Sequence, residues 1–542
     1  MLALRTSKLP GDLDMSDKLT RKDFLRAVGL STVAAGLSPT VFAHDSTHSL
    51  PGPRFGHSLP ARRPLITHLN PILRLYPAQT VARTGAVQFG AAELDVMLPF
   101  FGDGEVEWTT TVPNAGEYTV AACYASTRAG VPFKISCGTT EIAHATEVTE
   151  GFYLPLPAEP PVKSVPLAKP TFWAQRQFYC FDRVQLPGTI RMACGVNVVK
   201  LRVSGPKGGE LFRLRSLEFT PVTRTAEVRQ EEGRALRHRA NTDWFAKAGY
   251  GVWFHFIYLT TPRHGPREPY AQAVADLDVE ALARRADEMG AGYVILTTNH
   301  GHPTCPAPIK AWEALHPGWT TKRDLIADFA AALARYGIRL MLYMNCPGLG
   351  DLVQLPSSAL DRPTYSEEQY AEILIQVLSE FGQRYRDKVA GYWFDSWFQT
   401  DESYPDLPFE ALDRAIKIGN PDCLVAYNYW AFPIETLWQD YWAGELTELP
   451  LRPFDSRYIR RGAGKGLQAH SAIRLDSSWF HIEPNTSIGP PLYTAPQLGD
   501  YINACMRAQG VVSIGIALYQ NGTLDDSSMQ LMRDVRRLVR GR

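Results

Sequence analysis

The sequence predicts a multidomain protein, an N-terminal antiparallel β-sandwich followed by a (β/α)8 TIM-like barrel. Three observations predict it. The 542 residues give room for two or three domains, each with a full core. From about residue 69 to 221 apolar and polar residues alternate with period 2, as in strands with one wet face. From about 240 onward, short near-continuous apolar runs alternate with amphipathic helical stretches, the pattern of parallel β/α units.

The elements follow in chain order. "LTRKDFLRAVGLSTVAAGLSPTVFAHD" has a basic head, a weakly apolar stretch from Ala27 to Ala43, and small residues near its end. It resembles a twin-arginine export signal with Arg21-Lys22 in place of two arginines, so residues 1–43 are expected to direct export to the periplasm or cell exterior. Residues 44–68 are rich in Pro, Gly and Ser and read as a linker. Within 69–221, "VEWTTTVPNAGEYTVAACYA" alternates on both sides of Pro113-Asn114-Ala115-Gly116, which predicts a hairpin. A Pro-rich insert carries Tyr153, Phe172 and Trp173, which either stack on sugar or pack on the neighbouring domain. The phrase W-x-x-x-V-P-x-A-G-x-Y makes this region similar to the carbohydrate-binding modules attached to glycosidases.

The barrel is read over 240–542. "GYGVWFHFIY", "GYVILTTNH", "RLMLYMN" and "VAGYWFD" read as buried strands; "DVEALARRADEMGA", "RDLIADFAAALARYGI" and "YSEEQYAEILIQVLSEFGQRY" read as helices between them. No Gly-rich phosphate loop follows the early strands, which weighs against a dinucleotide-binding sheet.

Composition narrows the function classes. Acids and bases are equal in number, 56 each, with no long basic run, so nucleic acid is not the expected partner. No stretch beyond the leader is apolar enough to suggest a membrane span. The eight Cys show no CxxC spacing and the thirteen His are scattered, so neither a metal site nor a cofactor is expected.

Catalytic side chains of such barrels project from the C-terminal ends of the strands. Polar residues end the apolar runs here: His255, Asn299 and His300, Tyr343 and Asn345, Asp395, then Tyr427, Asn428 and Trp430. Asp395 stands in "GYWFDSWFQ", a carboxylate inside the most aromatic stretch of the chain. Burying it there without a purpose is costly. In an aromatic cup it can act as a nucleophile toward an anomeric carbon, while the His residues and Tyr343 hold ring hydroxyls.

The order of these residues resembles the α-L-fucosidases of glycoside hydrolase family 29 over about 240–540. "GVWFHFI" stands where the family has a phrase like "GIFIHWG", "TTNHGHPTC" aligns with "TxKHHDGF", and "GYWFD" with "WFDG". The resemblance implies a retaining exo-glycosidase with Asp395 as nucleophile and His255, His300, His302, Tyr343, Trp393 and Trp430 as sugar contacts. "WQDYWAGELTELP" is similar to the family's "DYxTPExxxP", which implies Glu445 as the acid/base, with Glu435 and Glu448 as alternates. Where the family has adjacent histidines this chain has His300-Gly301-His302, and the family's Glu-Trp pair is replaced by Glu268 and Tyr270. The implied substrate is a glycan bearing an α-L-fucoside or a related deoxy- or galacto-configured sugar. A non-catalytic carbohydrate-binding protein on the same barrel and an endo-acting fucan hydrolase remain as alternatives.

Overall fold

The computed structural model describes residues 72–541, apart from 88–97, 127, 150–180, 208, 301, 346–364, 398–403, 405–406, 430–435, 448, 450–452 and 461–463. The expected leader (1–43), the linker (44–68) and Tyr153, Phe172 and Trp173 lie outside the described residues.

Among the described residues nine strands form the first domain: β1 (Leu73–Leu75), β2 (Thr80–Val87), β3 (Leu98–Val112), β4 (Gly116–Ala125), β5 (Pro132–Cys137), β6 (Thr140–Ala145), β7 (Asp182–Met192), β8 (Gly195–Val203) and β9 (Phe212–Pro221). They are joined in one antiparallel sheet in the order β6-β5-β8-β3-β9-β4-β7, with β1 on β9 and β2 on β3. Alternation in β8, where Asn197, Val199, Leu201 and Val203 are buried between more exposed neighbours, is the period-2 signal made visible. Buried side chains from β3 to β9 meet in a single core, among them Trp108, Tyr124, Ile135, Ile142, Ile190, Leu201 and Phe219. A sheet whose far strands share one core must curl. The antiparallel domain is therefore present, but as one connected sheet rather than two separate layers.

The hairpin expected around Pro113–Gly116 is not formed. Over Gly104–Trp108 the two edges of β3 are taken by β2 and β8, and over Thr109–Val112 β3 pairs with β8, while β4 lies between β7 and β9. The turn carries the chain from one half of the sheet to the other, linked by the short pairing of Leu98–Phe100 with Phe212–Leu214. A turn signal reports that the chain reverses, not which strands then pair.

Helix Thr225–His238 connects the two domains and is clasped on each side, by Arg183 to Glu232 at 3.6 Å and by Arg234 to Glu410 at 3.2 Å. Eight parallel strands follow among the described residues: β10 (Tyr250–Phe254), β11 (Tyr293–Thr297), β12 (Arg339–Asn345), β13 (Val389–Asp395), β14 (Leu424–Tyr427), β15 (Glu445–Thr447), β16 (His470–Arg474) and β17 (Val511–Ile516). Their order is β14-β13-β12-β11-β10-β17-β16-β15. The intervening helices start where the sequence offers a capping side chain: Asp278, Asp324, Ser366 and Thr494 each accept from a backbone N–H in the first turn of the helix that follows. No helix among the described residues is long and apolar enough to cross a membrane.

These strands read as unbroken apolar runs because both faces are buried. Val252, Phe254, Val294, Leu296, Leu340, Leu342, Tyr392 and Phe394 face the helices. The alternate residues Trp253, Tyr293, Ile295, Met341, Tyr343, Trp393, Ala426, Ala472 and Val511 pack with Tyr441 and Ala443 into a second, interior core. Among the described residues no ladder joins the end strands β14 and β15. Asp440 spans the gap instead: its N–H donates to Val425 O at 2.8 Å, its Oδ2 accepts from Val425 N at 2.8 Å, and its carbonyl accepts from Gln468 N at 3.2 Å. The buried Asp440 carboxylate is balanced by Lys417 Nζ at 3.0 Å, which also holds the buried Asp413 at 2.8 Å. Burial pushes the Asp413 carboxyl up to about 6 against the pull of Lys417.

Candidate active site

The strand register sets the site in two tiers. Tyr343 lies opposite Trp393, which lies opposite Ala426; two residues further on, Asn345 lies opposite Asp395. Residues two apart point the same way along a strand. Trp393 therefore forms a floor below the tier of Asp395. It is 1% exposed, with its indole N–H donating to Ala443 O at 2.9 Å.

Asp395 closes β13 and is half-buried. Its Oδ2 accepts from the Tyr343 hydroxyl at 2.6 Å; its Oδ1 accepts from the Ser396 N–H and from Asn428 Nδ2, both at 2.8 Å. Ser396 has φ 64, a left-handed conformation that turns its N–H back onto the carboxylate. Among the described residues no Arg or Lys pairs with Asp395. Burial and the Asp395 carboxylate push the Tyr343 phenol well above its ordinary value, so it acts as a donor.

Asn428 follows β14 and carries the key contact. The same Nδ2 that donates to Asp395 also donates to Glu445 Oε2, at 2.6 Å. Asp395 Oδ1 and Glu445 Oε2 can then be no further apart than 2.8 Å and 2.6 Å laid end to end, 5.4 Å. Glu445 opens β15, and the residue before it must be glycine. Gly444 has φ +61, and a Cβ there would lie 2.0 Å from the His470 carbonyl oxygen.

Aromatic rings surround the pair of carboxylates. Trp253 and Trp393 meet edge to face at 4.8 Å; Tyr343 stacks on Trp393 at 5.4 Å; His300 lies 5.9 Å from Tyr343 and 5.1 Å from Phe480. Trp479 lies 5.4 Å from both Trp253 and His255. It occupies the space that Gly515 leaves open, since a Cβ there would come within 2.3 Å of the indole.

His255, one residue past β10, is buried. Trp253 Nε1 can only donate, and it donates to Thr297 Oγ1 at 3.0 Å; the Thr297 hydroxyl in turn lies 3.0 Å from His255 Nδ1. The tautomer assigned from this chain has Thr297 donating to Nδ1 and the imidazole proton on Nε2, which is buried and without a partner among the described residues. Burial, with His300 adding to it, pushes the His255 pKa well below 6.5 and keeps the ring neutral. His300 is also lowered by burial, opposed by the attraction of Asp395.

The structure thus brings together Asp395, Glu445, His255, His300 and Tyr343, with Trp393 beneath them. It does not bring His302 to them. That ring stacks on Tyr258 at 3.8 Å and meets Trp319 at 4.1 Å, in a neighbouring cluster. Trp430, Glu435 and Glu448 lie outside the described residues. Glu268 is bound to Gln520 through its backbone, and Tyr270 is buried at the start of a helix. His470 is a fully buried residue of β16, bonded to Trp442 O, Ala443 O and Ser513 Oγ at 3.1, 3.0 and 2.7 Å. Asn428 was visible only as a polar strand ending; its bridging role belongs to the fold. Among the described residues no group of His, Cys, Asp and Glu is arranged to hold a metal.

A family model described as α-L-fucosidase matches residues 271–534. Among solved structures, α-L-fucosidase isoenzyme 1 from Paenibacillus thiaminolyticus is similar at 18% identity and a TM-score of 0.44, covering 56% of this chain and 76% of that one. An endo-fucoidan hydrolase of glycoside hydrolase family 107 is similar at 17% identity and 0.41, over 56% of this chain and 53% of that one. An α-L-fucosidase from Lactobacillus casei in complex with α-L-fucose is similar at 14% identity and 0.40, over 56% and 99%. No curated protein matches the chain. Residues 271–534 thus match the α-L-fucosidase family model, and the chain is a glycoside hydrolase.

Proposed function

We propose that this chain is a retaining exo-α-L-fucosidase in which Asp395 is the nucleophile and Glu445 the acid/base, and that the curled sheet works as a (β/α)8 barrel bridged at Asp440. The observation that carries the reading is the double hydrogen bond of Asn428 to both carboxylates, which caps the separation of the two oxygens at 5.4 Å. Retaining enzymes place their carboxyl groups about 5–5.5 Å apart, whereas inverting enzymes need about 6.5–9.5 Å to admit a water between base and sugar.

The residues then divide the work. With Oε2 accepting from Asn428, Glu445 carries its proton on Oε1 and gives it to the glycosidic oxygen. An Asp395 oxygen forms a bond to the anomeric carbon as the bond to the leaving oxygen breaks, its electron pair leaving with that oxygen. Water, losing a proton to the Glu445 carboxylate, next attacks the same carbon and releases Asp395. Tyr343 and Asn428 fix the direction of attack by holding one carboxylate oxygen each. His255, with a proton on a buried and unpartnered Nε2, supplies a donor for a ring hydroxyl.

Proton NMR of the first turnovers of an α-L-fucoside tests the stereochemistry. α-L-Fucose is expected first, with the β anomer growing in only as the sugar mutarotates. Initial release of the β anomer would mean a single displacement and would remove the nucleophile role from Asp395.

A further inference from the structure

His302 left one cluster and joined another, and the cluster it joined is built in an unusual way. Trp319 is 36% exposed, yet the turn that carries it is tightly tied. Glu313 accepts from Gly318 N at 2.7 Å, from Thr320 Oγ1 at 2.6 Å and from Thr320 N at 3.3 Å. The Trp319 carbonyl accepts from Cys305 N at 2.8 Å, in a parallel bridge between Cys305 and Thr320. The indole rests against the His302 ring, which stacks at 16° on the half-buried Tyr258; the exposed Arg267 also lies over the Tyr258 ring, its Cζ 4.5 Å from the ring centre, and its guanidinium donates to the Tyr258 carbonyl. Burial, with the nearby charges of Arg267 and His316, pushes His302 down to about 4, so the stack is neutral apart from Arg267.

Such a ledge, partly wet, is carried in part by the segment after β11 that also holds His300. His302 is two residues from His300, a span of at most about 7 Å of chain, and the His300 ring is in contact with Tyr343, the donor to Asp395. An exposed indole has an electron-rich face that suits the C–H face of a pyranose ring, and an arginine beside it suits the ring's oxygens. A tryptophan held by its backbone meets a ligand at little entropic cost.

We propose that Trp319, seated on the Tyr258–His302 stack, is the platform for the sugar ring of the leaving group, with Arg267 hydrogen-bonding that ring's oxygens. The proposal rests on the glycosidase reading of the Asp395 site and adds a specificity determinant to it. Trp319 and Arg267 do not touch the reacting bond. They act on the part of the substrate that departs.

The test compares wild type, Trp319→Ala and Trp319→Phe on two substrates, α-L-fucosyl fluoride, whose leaving group is too small to reach the ledge, and the α-L-fucosyl disaccharide that wild type turns over best. The ratio of kcat/KM for disaccharide over fluoride is expected to fall about tenfold or more in Trp319→Ala and to recover most of that in Trp319→Phe. A ratio within about twofold of wild type in Trp319→Ala overturns the platform. Absence of fluoride turnover by wild type would instead overturn the α-L-fucosidase reading of the Asp395 site. Calorimetric binding of the same disaccharides to wild type and Trp319→Ala would then still read the ledge, with equal affinities counting against it.

Discussion

Asp395→Ala is expected to lower kcat/KM on an aryl α-L-fucoside by about 10⁴-fold or more, a loss of about 5.5 kcal/mol of transition-state stabilisation. The effect is large because the side chain forms the bond that replaces the leaving group, so its loss removes a reaction path and not one contact among many. Stability should change little by comparison. Asp395 is half-buried and balanced by neutral donors, Tyr343, Asn428 and the Ser396 N–H, so no opposite charge is stranded when it is removed. Azide or formate, small enough to take the place of the missing carboxylate, is expected to restore part of the rate, with azide giving the inverted, β-configured fucosyl azide. A mutant with wild-type activity would show that another group is the nucleophile.

Glu445→Ala is expected to behave differently, and the difference identifies its role. For a sugar leaving group, which must be protonated to depart, kcat/KM should fall by about 10²–10⁴-fold. For α-L-fucosyl fluoride, whose leaving group needs little help, the fall in kcat/KM should stay below about tenfold, while kcat drops because no base activates the water in the second step. Azide added to this variant attacks the glycosyl-enzyme and gives the retained α-configured azide, opposite to the product from Asp395→Ala. Equal losses on both substrates would show that Glu445 does not donate the proton.

The parts of this picture legible in the sequence are those governed by local pattern. β10 to β13 read as apolar runs because both of their faces are covered, and the polar residue that ends each run marks where a strand leaves the core; His255, His300, Tyr343 and Asp395 were found that way. What escaped depends on partners distant in the chain. The parity of β13 sets Trp393 one tier below Asp395, so it supports Tyr343 from a buried floor. Asn428 became a bridge only when β14 and β15 were brought to the same side of the sheet. Nothing local marks His470 as a core residue, yet β16 buries it and two carbonyls and a serine satisfy it. The turn at Pro113–Gly116 was legible as a turn, but the pairing of β3 with β2 and β8 is decided across the whole domain. Asp440 gave no local sign that it would stand between two strands with a buried lysine beside it.

The most direct test of the account is to trap the intermediate it requires. A 2-deoxy-2-fluoro-α-L-fucosyl fluoride forms a glycosyl-enzyme that hydrolyses slowly, because the 2-fluoro group destabilises the oxocarbenium-like transition state. Peptide mass spectrometry after brief exposure should find one fluorofucosyl group, carried on the peptide containing Asp395 and absent from Asp395→Ala. A label on Glu445 or any other carboxylate, or full turnover of the reagent with no labelled protein at any time, would contradict it.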